Sequence, residues 1–145
     1  MTSHLSAALR AAATGIQPDE AAAGLIISHG TFLRRADFTR HVETADCISD
    51  GTPMAWIDWD AVIAALDGGH LPASSGEKRI ARIAASLAAG HLTSLRDAVP
   101  GLDRHSLELV TTAIRHAAGQ PSEPQPGRRN GTPPAPAVPG RLARD

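Results

Sequence analysis

The sequence predicts an all-α fold: a compact bundle of five to six short helices followed by a disordered Pro-rich tail. Three observations lead there. Apolar residues recur at three- and four-residue spacing through nearly all of residues 1–119. Each run is punctuated by residues that start or stop helices, such as Pro18-Asp19-Glu20 before one and Gly68-Gly69 after another. Beyond Gly119 the pattern ceases, and seven prolines follow with hardly any large apolar side chain to offset the entropy of ordering them. The 145 residues suit one domain, residues 1–119, with a tail over residues 120–145.

In chain order, Leu5, Ala8, Leu9, Ala12 and Ile16 make one face of a first helix. A second starts at Pro18, whose fixed φ suits a first turn, with two carboxylates at the positive end of the helix dipole. It presents Ala22, Leu25 and Ile26 inward and stops by Gly30. Phe38 and Val42, four apart, predict a short helical piece over residues 35–43. The turn formers from Ser49 to Pro53 then join the two halves of the chain. Asp58 reads as the N-cap of a helix facing Trp59, Val62, Ile63 and Leu66 inward. Ser74 and Glu77 have capping-box spacing, so a helix with Ile80, Ile83, Ala84 and Leu87 inward should run over Ser75–Ala89. A short helix over residues 94–99 is cut by Pro100-Gly101. Asp103 caps the last helix, with Leu107, Val110, Ile114 and Ala117 expected in the core.

Charge alone nominates no partner. Residues 1–119 hold ten Lys or Arg against thirteen Asp or Glu, so the body has no positive field for nucleic acid or anionic lipid. The tail carries Arg128, Arg129, Arg141 and Arg144, a basic end that suits a solvated terminus. A single cysteine, Cys47, allows no intrachain disulfide and points to a reducing, cytoplasmic setting. Residues 1–15 lack the basic start and apolar core of a signal peptide, and no apolar run is long enough to span a membrane.

Catalytic and metal constellations are not apparent in the pattern. Seven histidines show no metal-ligand spacing among themselves or with Cys47, and His41, Glu43, Asp46 and Cys47 read as a solvated polar run. His29, His70 and His91 each neighbour a glycine at a helix end, where an imidazole can bond the last carbonyls. Cys47 with His41, or Ser28 with His29, would need an orienting group and an oxyanion hole. Cap and first-turn positions account for Asp58 and Asp60. No cofactor, metal or catalytic residue is therefore expected.

Two surfaces are candidates for binding. Trp56, with Met54, would form an anchor if it stands on an exposed lip, although core filling is the usual role of tryptophan. The last three helices are helix-turn-helix-like in order and length. On that reading Arg104, His105, Glu108, Thr111, Thr112 and Arg115 line the outward side of the final helix. Against it, two arginines beside Asp103 and Glu108 offer few phosphate contacts.

Residues Ser74-Ser75-Gly76-Glu77 resemble the Ser-Gly-Gly-Glu signature of ABC-type ATPases, but the Gly- and Lys-containing phosphate loop of that family has no counterpart. The reading kept for Ser74 and Glu77 is a helix cap. Residues 25–119 also resemble a set of short proteins of GC-rich Gram-positive bacteria with no activity attached. That likeness rests on Asp50-Gly51-Thr52, Ile57-Asp58-Trp59, Ser74-Ser75-Gly76-Glu77 and Ala84-Ala85-Ser86-Leu87-Ala88. It implies a defined domain and carries over no functional residue. The function expected is a non-enzymatic helical module that binds a protein partner or itself. The alternative is a small nucleic-acid-binding regulator using Arg104, His105, Thr111 and Arg115.

Overall fold

In the computed structural model, residues 2–120 are described, and the tail expected over residues 120–145 lies outside them except for Gln120. The described chain is mostly helical. Its helices are α1 (Thr2–Ala13), α2 (Gln17–His29), α3 (Ala36–Thr39), α4 (Trp59–Asp67), α5 (Ser75–Ala89), α6 (Leu95–Ala98) and α7 (Arg104–Ala117). Single 3-10 turns occupy Phe32–Arg34 and Val99–Gly101. Between α3 and α4 stands an antiparallel hairpin of β1 (Val42–Asp46) and β2 (Pro53–Ile57).

α2 is the centre. It buries Ala21, Ala22 and Ala23 at consecutive positions as well as Leu25 and Ile26, so only the narrow edge of Glu20, Gly24 and Ser28 stays open along this stretch. α1, α5 and α7 all pack on it. Methyl-sized side chains make this possible, since they let the neighbouring helices approach closely from several directions. Phe32 and Phe38 cap one end of the core with their ring centroids 5.1 Å apart, and both are fully buried.

The helix starts form as their sequences direct. Asp58 accepts a hydrogen bond from the Ala61 N–H at 3.0 Å, and Asp103 accepts one from the Ser106 N–H at 2.7 Å. The Ser74 hydroxyl accepts from the Glu77 N–H while the Glu77 carboxylate accepts from the Ser74 N–H, closing a capping box. Glu77 also faces Arg35, which bonds Asp37 and the Pro72 carbonyl, so this cap is tied to the start of α3. Gly90, at φ 72°, ends α5 in the left-handed conformation that disfavours other residues. Arg79 donates to the Gly101 carbonyl, and its guanidinium fills the space that a side-chain carbon at position 101 would need.

The structure differs from the sequence reading in two segments and at Ile16, which was expected on the face of the first helix but is exposed beyond the end of α1. Residues 35–43 are not one helical piece: α3 ends at Thr39 and the chain turns at Arg40 and His41 into β1, pairing Val42 with Ile57. Val42 and Thr44 on one side and Trp56 and Ile57 on the other flank a loop of turn formers, and it is the pairing of the two runs that makes them strands. The Asp50 side chain accepts from the Thr52 N–H, and the Cys47 N–H donates to the Thr52 carbonyl, closing that loop. The second difference is on α7. Val110 is buried and Ala117 packs against the core, but Leu107 and Ile114 face solvent, and Ser106 and Ala113 are buried in their stead. Seating α7 on the alanine side of α2 favours its smaller face.

Phe38→Ala is expected to cost about 3–5 kcal/mol, since it empties a fully buried aromatic site. Ser74→Ala should cost about 1 kcal/mol through loss of one cap bond. Urea denaturation of the two variants would check both magnitudes and their order.

Candidate functional site

The sequence pointed to two surfaces, and they lie on different elements. β2 runs beside α1. Ala55 is buried, while Trp56 is 45% exposed. Met54 faces a groove of about 470 Å3 shared with Leu5 and Ala8 of α1. Trp56 rims a smaller cleft of about 120 Å3 against Leu9, Ala12 and Ala22. Both residues therefore border the seam between α1 and the hairpin, with Trp56 standing on its lip rather than within the core. Trp59, by contrast, is a core residue.

On α7, Arg104, His105, Glu108, Thr111, Thr112 and Arg115 are all exposed, as the helix-turn-helix-like reading requires. Its remaining geometry is less suited to a groove reader. α6 is a single turn of four residues running into a 3-10 turn, and α7 packs chiefly on α2. Arg104 and Glu108 approach within 3.8 Å on consecutive turns, so one of the two arginines on this face already has an acidic partner.

What the sequence did not single out is the apolar content of that same face. Leu107 is 44% exposed and Ile114 is 49% exposed, two turns apart on one side of Arg104, Thr111 and Arg115. Among the described residues, the segment leading to α7 also exposes Leu92, Leu95 and Val99, so five of their eight exposed large apolar side chains fall between residues 92 and 114. Leu107 and Ile114 fit a core stripe and an outward stripe equally well by spacing. Only the seating of the helix separates the two.

The other chemistry-bearing residues are dispersed. His41 and Cys47 lie at opposite ends of β1, about 20 Å apart at ordinary strand rise. Cys47 Sγ instead approaches Ser49 Oγ at 3.1 Å. Among the described residues no three His, Cys, Asp or Glu side chains gather as metal ligands. Of the glycine-adjacent histidines, His91 pairs with Asp60 at 2.7 Å, while His29 stacks near Phe32 and its buried Nδ1 meets no partner among the described residues. Neither bonds a terminal carbonyl of its own helix through its ring, contrary to the sequence reading.

One long-range polar pair was illegible in the sequence. His116 of α7 and Glu20 of α2 meet at 2.8 Å, and the second Glu20 oxygen accepts the Gly15 N–H at 3.0 Å. The bond from His116, then that from Gly15, holds the Glu20 carboxyl below its ordinary 4.5. The Asp103 carboxyl is likewise lowered, chiefly by the Ser106 N–H.

No family model, no curated protein and no solved structure matches this chain. Among the described residues no helix is long and apolar enough to cross a membrane.

A depressed folded-state pKa makes the ionised Glu20 stabilising. Its contribution is complete above pH 4.5 and is lost as the pH falls through the lowered folded value. Glu20→Gln should therefore be less stable than the parent near neutrality, and the gap should close in acid. Denaturant midpoints of both proteins at about pH 6 and about pH 3 would show it.

Proposed function

We propose that this chain is a non-enzymatic helical interaction module that pairs with a second copy of itself through the outer face of α7. The observation that carries the reading is the outward pair Leu107 and Ile114. Contiguous exposed apolar side chains favour burial against a partner, and a two-fold axis lets one face bury itself. Two α7 helices laid antiparallel about Thr111 bring Leu107 of one against Ile114 of the other. The same register sets Glu108 near Arg115 of the second copy, so apolar and charged contacts agree. Thr111 at the crossing is small enough for close approach. The exposed Arg104–Glu108 contact is weak and is readily exchanged for one across the pair.

The hairpin seam with Met54 and Trp56 is a second apolar surface on this reading, without that self-complementarity. A nucleic-acid-binding regulator is supported by the exposure of Arg104, His105, Thr111 and Arg115 together. It is the weaker reading because Asp103 and Glu108 share the face and phosphate contacts need uncompensated cations.

Sedimentation should give a concentration-dependent dimer. Leu107→Glu is expected to weaken it at least about tenfold, or roughly 1.4 kcal/mol. Glu108→Arg and Arg115→Glu should each weaken it, and the two together should restore it. A parent protein that stays monomeric, yet forms a salt-sensitive complex with duplex DNA, would replace this reading with the second.

A further inference from the structure

The inner edge of α7 borders a different feature. Between α2 and α7 lies a cleft of about 190 Å3, floored by Ala21, Gly24, Leu25 and Ala113. Leu109 and Thr112 of α7 form one wall, and Ser28 contributes a hydroxyl from α2. Arg10 of α1 and the Glu20–His116 pair border it and also line an adjoining recess of about 170 Å3 that includes Thr14. Three helices thus bring one cation, one carboxylate, one imidazole, two hydroxyls and an apolar floor to one opening.

Gly24 is the telling residue. It sits in the middle of α2, where glycine is less stable than alanine, and its backbone does not use the freedom that glycine offers. Packing does not require it either: a side-chain carbon built there would meet no neighbour within 4 Å. What its absence leaves is open space in the cleft and bare backbone for a ligand to approach.

The polar groups define the ligand. Arg10 has no ion-pair partner among the described residues, and a guanidinium is suited to bidentate recognition of a carboxylate. The Glu20 carboxylate keeps its charge at the same mouth, with its two oxygens turned to His116 and the Gly15 N–H rather than paired with Arg10. An ionised carboxylate only accepts, so His116 donates from Nε2 and is held in one orientation at the mouth. The floor is apolar and short. From Ala21 to Leu25 it runs about 6 Å at helical rise, room for a chain of a few carbons.

We infer that the α2–α7 cleft binds a short-chain aliphatic monocarboxylate, with its carboxylate on Arg10 and its chain over Gly24, Leu25 and Ala113. The site is separate from the outer face of α7 and does not depend on pairing.

The test is an amide NMR titration of the full chain with sodium butanoate, against sodium chloride at equal ionic strength. Saturable shifts are expected at Gly24, Ser28 and Thr112, with butanamide at least tenfold weaker and butylammonium without effect. Gly24→Ala should raise the melting temperature and weaken butanoate at least tenfold. Arg10→Gln should weaken it similarly without lowering the melting temperature. The inference is overturned if butanoate gives no saturable shifts in the parent, if the amide binds as well as the acid, or if Gly24→Ala binds butanoate unchanged. A lower melting temperature for Gly24→Ala would also overturn it, since the glycine would then be serving the packing.

Discussion

Three consecutive alanines on α2 set the terms for the rest of the molecule. A helix enclosed on several sides needs small side chains wherever a neighbour crosses, and Ala21, Ala22 and Ala23 provide them where α1, α5 and α7 converge. Little apolar area is removed from water per alanine, so the larger contributions come from the ends and flanks, at Phe32, Phe38, Leu25, Ile26 and Ile80. The arrangement is held in register by polar ties at its margins. Arg35 joins α3 to the Ser74–Glu77 cap, Arg82 joins α5 to Asp67 at 2.5 Å, and His116 joins α7 to Glu20.

Because α7 rests on this alanine surface through small residues, its larger side chains are left elsewhere. Ser106, Val110 and Ala113 face inward while Leu107 and Ile114 remain outside. One helix therefore has three different borders: a packed one, an apolar outward one, and one that walls a cleft against α2. The two proposals for this protein concern the second and third of these, and both follow from how little of α7 the core uses.

The legibility of the fold in the sequence follows the range of the interactions involved. Asp58, Ser74 with Glu77, and Asp103 were readable because a cap is chemistry between residues three apart. The hairpin was not, because Val42-Glu43-Thr44-Ala45-Asp46 alternates weakly and its strand character depends on pairing with Pro53–Ile57. Trp56 could be named as a candidate, but whether it stood on a lip or in the core depended on how β2 lies along α1. The site residues on α7 were partly legible. Arg104, His105, Thr111 and Arg115 are outward as their spacing implies, whereas Leu107 and Ile114 satisfied two faces until α2 chose one. Arg10, Gly24 and His116 carried no signal, and Glu20 only that of a helix start, since α1, α2 and α7 meet only in three dimensions.

The contact between Arg79 and Gly101 has a consequence for how such a chain can change over time. The guanidinium occupies the volume of a missing side chain and bonds the carbonyl of the same residue. A larger residue at position 101 would push the far end of the flexible Arg79 side chain aside and cost its one exposed bond to the carbonyl, which water can answer. The two positions, twenty-two residues apart, are thus coupled in one direction only: a side chain at 101 displaces Arg79, whereas a shorter residue at 79 merely leaves Gly101 open to solvent.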